Sequence, residues 1–80
     1  MQATDRMRKL LCHLPNSDQQ LGEQFIQGRD FESLKELVDS AIFKIRKNLR
    51  SEKPKQEYLD IDLTELSRLK SEVDVYLTQL

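Results

Sequence analysis

Tryptophan is absent, and cysteine and histidine occur once each, as Cys12 and His13. A single thiol makes no internal disulfide, so stability has to come from packing. One Cys and one His also fall short of the roughly four ligands that hold a zinc ion. Two glycines and two prolines are too few for a β-sandwich, a collagen or a flexible linker. Neither Gly22 nor Gly28 leads into a Lys-Ser or Lys-Thr pair, so no phosphate-cradling loop is present. No segment approaches the roughly 20 apolar residues of a membrane span. Arg6, Arg8 and Lys9 precede a short apolar run like the start of a secretory signal. The run ends at Pro15, short of the roughly 7–15 residues of a secretory core. A lone thiol suits a reducing setting, and a cytoplasmic protein is expected.

Neither sign of charge dominates: 13 basic residues stand against 14 acidic ones, for a formal net charge of −1. That balance disfavours a global polyanion binder and an acidic solvating tail. What remains is an 80-residue chain, 38% hydrophobic and 34% charged. It fits one helical domain over residues 1–80 whose core supplies only about 3–5 kcal/mol net.

Helical periodicity accounts for most of the apolar residues. Met7, Leu10, Leu11 and Leu14 share a stripe at i, i+3, i+4 and i+7, predicting a helix over 5–14 capped by Thr4 and stopped by Pro15. Ser17 and Gln20 have capping-box spacing, predicting a second helix over about 18–27. Leu21 and Phe25 lie on one face of it, and Gly28 stands where a left-handed residue would end it. Gly22 in its interior either costs about 1 kcal/mol or permits a close approach.

The third helix, 31–50, is the most strongly patterned. Behind an Asp30 cap, Phe31, Leu34, Leu37, Val38, Ala41, Ile42, Ile45 and Leu49 fill a sector about 140° wide. Its acids come first and its bases last, as the helix dipole favours. Pro54 interrupts a linker over 51–60. Tyr58 to Leu63 alternate briefly like an extended crossing, whose Leu59 and Ile61 are expected to plug one end of the core. A last helix, 63–80, begins at the Asp62 cap with Glu65 at capping-box spacing. Leu66, Leu69, Val73, Tyr76 and Leu80 then form a heptad seam, and Lys70 beside it lays its methylenes on the core. Together these predict an all-α domain of three or four helices built on an antiparallel hairpin of the two long ones. Leu37, Ile45, Leu66 and Val73 are its expected buried centre.

Catalytic chemistry finds little footing. Cys12 and His13 are adjacent, so on a helix they diverge by about 100° and cannot form a thiol–imidazole pair. The carboxylate pairs Asp60/Asp62 and Glu32/Glu36 read as caps and solvated faces, with little room for a pocket that perturbs a carboxyl group. No enzyme, cofactor, metal or small-molecule substrate is expected.

The distinctive surface is basic. Lys44, Arg46, Lys47, Arg50, Lys53 and Lys55 put six cations into twelve residues, opposed only by Glu52. Phe43, Arg46, Lys47 and Arg50 share one helical face opposite the core stripe. Such a face is a solvated helix end, a contact for an acidic protein partner, or a phosphate-binding face with a ring for stacking. Gly22–Ala41 does not make a convincing helix-turn-helix, because its second helix is too apolar and too long. The function expected is therefore a non-enzymatic protein–protein interaction or assembly module. A small nucleic-acid-binding regulator is the alternative. A chain this short gains from self-association, and a two-fold homodimer is expected through Ile42, Leu49, Leu69 and Tyr76 at the hairpin edge. The competing arrangement has Met7, Leu11, Leu14, Leu21 and Phe25 covering that edge and leaving a monomer, with an unidentified protein as the partner.

Overall fold

In a computed structural model describing residues 3–79, each long helix starts at an aspartate. Asp30 Oδ1 accepts the Ser33 N–H at 3.2 Å and its Oδ2 accepts the Ser33 hydroxyl at 2.7 Å, opening Phe31–Leu49. Asp62 Oδ1 accepts the N–H groups of Thr64 and Glu65 at 3.0 and 3.3 Å, opening Leu63–Thr78. Glu65 turns its own carboxylate to Arg68, 3.5 Å away. With three shorter helices, Ala3–Leu10, Asn16–Gln27 and Gln56–Leu59, these are α1 to α5 in chain order: α1 (Ala3–Leu10), α2 (Asn16–Gln27), α3 (Phe31–Leu49), α4 (Gln56–Leu59) and α5 (Leu63–Thr78). The domain is all-α, with no strand among the described residues. Leu80, expected in the last helix and its seam, lies outside the described residues.

α3 and α5 form the antiparallel hairpin. Lys35 Nζ reaches Asp74 Oδ1 at 3.8 Å and Lys70 Nζ reaches Asp39 Oδ1 at 3.6 Å. Four residues forward on α3 correspond to four residues back on α5, which fixes the register. At the open end of α3 the rings of Phe31 and Tyr76 pack with centroids 4.3 Å apart. α1 lies along α5, and α2 along α3. Met7, Leu34, Val38, Ala41, Ile45, Leu66, Leu69 and Val73 have no exposed surface, so the core is the α3–α5 seam with Met7 of α1 added to it. Leu37 departs from expectation and is only half-buried. It lies at the flank of the stripe, where it lines a shallow groove with Leu21 and Phe25 of α2.

The short helices begin and end differently from their local signals. Thr4 is inside α1 rather than capping it. α1 stops at Leu10, and a 3₁₀ turn over Leu11–His13 finishes the segment. Leu14, held extended before Pro15 (φ −77°, ψ 155°), cannot continue the α-helix. α2 begins at Asn16, and the Ser17/Gln20 box does not form. Its first N–H is taken by Glu57 Oε1 at 3.1 Å, from α4 and 41 residues away in sequence. Gln19, not Gln20, ties the preceding turn, donating to the Leu14 carbonyl at 2.7 Å. Inside α2, Gly22 permits a close approach: a Cβ there would stand 2.7 Å from Leu11 Cδ2.

The α2–α3 corner carries a second correction. Gly28 is right-handed (φ −82°), and Arg29 holds the left-handed position (φ 56°). Arg29 N–H bonds the Ile26 carbonyl at 3.1 Å and Asp30 N–H bonds the Phe25 carbonyl at 2.8 Å. That is the Schellman pattern, and it spends Gly28 one residue too early for its conformational freedom to be used. In the linker, α4 replaces the extended crossing. A helical turn puts Tyr58 and Ile61, three apart, on the core side. It turns Leu59 outward, 53% exposed, so Leu59 does not plug the core. Asn48 Oδ1 accepts the Lys55 N–H at 2.8 Å and closes the turn after α3.

Ile45→Ala removes a side chain with no exposed surface. It should cost about 2–5 kcal/mol and largely abolish the cooperative melt followed by circular dichroism, while Leu37→Ala costs clearly less. Arg29→Gly relieves the left-handed strain and should raise stability by about 0.5–1 kcal/mol, a melting shift of roughly 2–8 °C. Gly28→Ala, at a right-handed backbone, should be tolerated in the same assay.

Candidate interaction surface

The core stripe of α3 points at α5, with α2 along its flank, so its opposite face is left to water. Phe43 stands on that face, 69% exposed. It is the most exposed of the large apolar side chains described, ahead of Leu59 and Val75 at 53% and Leu21 at 43%. Arg46, Lys47 and Arg50 are exposed beside it. The four residues grouped by spacing are brought together: all line one open groove along the C-terminal half of α3.

The far wall of that groove comes from α5. Lys70 joins the lining, with its ammonium on Asp39. Asp39 Oδ1 is sealed from solvent without a hydrogen bond, so the Lys70 charge is what compensates it. Sequence reading treated Lys70 only as a core-covering side chain and missed this pair. Its signal was the reversed order of charges, Lys35 and Asp39 on one helix against Lys70 and Asp74 on the other. Among the described residues Lys44, Arg46, Lys47 and Arg50 make no ion pair, in contrast to Lys35 and Lys70. The groove is therefore cationic, around an uncovered ring.

The hairpin-edge residues fare differently. Leu69 is fully buried and Ile42 is 7% exposed, so neither is available as an external contact. Met7, Leu11 and Leu14 are buried with them, as in the covered arrangement. Leu21 remains exposed and Phe25 half-buried, so those two contribute less than that arrangement assumed. Leu49 and Tyr76 are half-buried, Tyr76 against Phe31.

Elsewhere the chemistry is sparse. Cys12 is exposed and its Sγ donates to the Lys9 carbonyl at 3.2 Å. Among the described residues no three His, Cys, Asp or Glu side chains cluster to hold a metal ion. No helix there is long and apolar enough to cross a membrane.

Phe43→Ala should leave stability within about 0.5 kcal/mol of the parent, because the ring covers nothing inside the fold. A thermal melt checks it, and a large drop would return Phe43 to the core. No protein-family model, curated protein or solved structure matches the chain.

Proposed function

We propose that the chain is a small, non-enzymatic protein–protein interaction or assembly module whose contact surface is the outer face of α3. Phe43 carries the reading. A large ring held on a rigid helix, 69% exposed among unpaired cations, is an amphipathic anchor of the kind that concentrates binding energy. Arg46, Lys47 and Arg50 around it favour a partner surface that is acidic and carries an apolar site for the ring. The exposed Cys12 thiol fits a reducing, cytoplasmic setting.

The same cations favour nucleic acid as a second reading. The acids of α3 weigh against it. A phosphate backbone following the helix past Arg46 runs onto Asp39, Glu36 and Glu32, where like charges repel.

Replacing Phe43 by the photoreactive analogue benzoylphenylalanine, with Val75 as the matched control, tests the function. Irradiation in cells should give protease-sensitive adducts from position 43 and few from position 75. Nuclease-sensitive adducts from position 43 would move the function to nucleic acid. No adducts from position 43 would end the reading.

A further inference from the structure

We infer that the partner of the α3 face is a second copy of this chain, docked antiparallel across a two-fold axis that meets the outer face of α3 at the level of the buried Ala41. The inference rests on the proposed interaction module and deepens it by naming the occupant.

The observation is a charge pattern. Glu32, Glu36, Asp39, Phe43, Arg46 and Arg50 follow one another at steps of four, three, four, three and four. That is heptad spacing, and at about 100° per residue it gathers all six within about 40° of one line along the helix. Five of the six are exposed and Asp39 is half-buried. The line is also antisymmetric. Glu32 and Arg50 lie nine residues either side of Ala41, Glu36 and Arg46 five either side, and Asp39 and Phe43 two either side.

The fold turns that line into a continuous surface. The groove holding Phe43, Arg46 and Arg50 ends at Asp39. A second groove, holding Glu32 and Glu36, begins at the same Asp39. One face of the domain therefore has an acidic half and a basic half, joined at its middle.

Rotation by 180° about an axis through the outer face at the level of Ala41, between Asp39 and Phe43, lays this face on itself. Glu32 then opposes the partner's Arg50, and Glu36 the partner's Arg46, each twice by symmetry. Asp39 opposes Phe43, and this suits it, because its charge is already matched by Lys70 of its own chain at 3.6 Å. The two Phe43 rings stand about 6 Å apart along the helix axis, from a rise of 1.5 Å per residue, close enough to pack across the axis. The charges that α5 can reach on this side of α3, Lys35 and Asp39, are paired within the monomer. Among the described residues Glu32, Glu36, Arg46 and Arg50 are not, and these are the four that a second copy satisfies. A parallel docking would set acid on acid and base on base.

Charge exchange tests the pairing. The parent should pass from 9.5 kDa toward twice that mass by sedimentation equilibrium between micromolar and millimolar concentration, less readily in high salt. Arg46→Glu with Arg50→Glu makes the whole line acidic, and Glu32→Lys with Glu36→Lys makes it basic. Each double variant, shown by circular dichroism to keep the parent's helicity, should weaken self-association more than tenfold. An equimolar mixture of the two should recover it, because every acid again meets a base. A parent that stays at 9.5 kDa throughout, association unchanged in both variants, or a mixture without recovery each overturns the inference. Should a variant misfold, the photoreactive residue at position 43 decides: an adduct of two copies supports the inference, and adducts to other proteins alone overturn it. That last result leaves the interaction module standing, whereas no adduct from position 43 removes both.

Discussion

The antiparallel packing of α3 on α5 is the contact on which the rest depends. It brings Leu34, Val38, Ala41 and Ile45 against Leu66, Leu69 and Val73 with no exposed surface on any of them. Two helices alone leave such a seam open along one side, and Met7 of α1 and Leu11 of the 3₁₀ turn after it close that side. Two ion pairs, Lys35–Asp74 and Lys70–Asp39, set the register at the rim. Partly exposed pairs of this kind contribute little energy each, about 0–1 kcal/mol. Their value lies in direction, because a slip of one turn would set lysine beside lysine and leave the sealed oxygens of Asp39 and Asp74 uncompensated.

The pairing also decides which surface is left over. With its apolar stripe turned to α5 and one flank covered by α2, α3 keeps only an outer ridge. The helix dipole explains acids in its first turn and bases in its last, since that interaction fades beyond one turn. The hairpin register explains Asp39 through Lys70. Neither explains Glu36 and Phe43 in the middle turns, nor their alignment on the ridge that packing leaves free, which the proposed contact surface would account for.

The sequence disclosed what local spacing determines. The α3 stripe and its Asp30 cap, the Asp62 cap and the hairpin of long helices all follow from residues within a turn or two of one another. It failed where a distant residue intervened and where neighbouring residues offered a competing local conformation. The Ser17/Gln20 box was plausible, yet Glu57 reaches the end of α2 from 41 residues away. Gly28 was the natural left-handed residue, yet α2 runs on to Gln27, which makes Gly28 its right-handed cap and leaves that conformation to Arg29. Leu59 was read in an extended alternation, and one helical turn in α4 reversed its direction. The candidate surface was legible as four residues on a face. Its α5 wall was not, because Lys70 joins it only through the hairpin register.

Energetics set the character of a pairing through the α3 ridge. Four cross-chain ion pairs, exposed at their edges, sum to no more than a few kcal/mol and weaken with salt. Two Phe43 rings leaving water add an apolar contribution of about 1.5–3 kcal/mol each when fully covered. Loss of translational and rotational freedom on association offsets about 4–15 kcal/mol of such gains. The balance points to a weak, reversible contact rather than an obligate one. In that regime charge order chooses orientation more than it supplies affinity. The antisymmetric line admits one register, the antiparallel one centred on Ala41, and a ring at its middle supplies attraction that is indifferent to direction. Separating the two roles, with charge for register and Phe43 for adhesion, lets a ridge one helix wide be specific without being sticky.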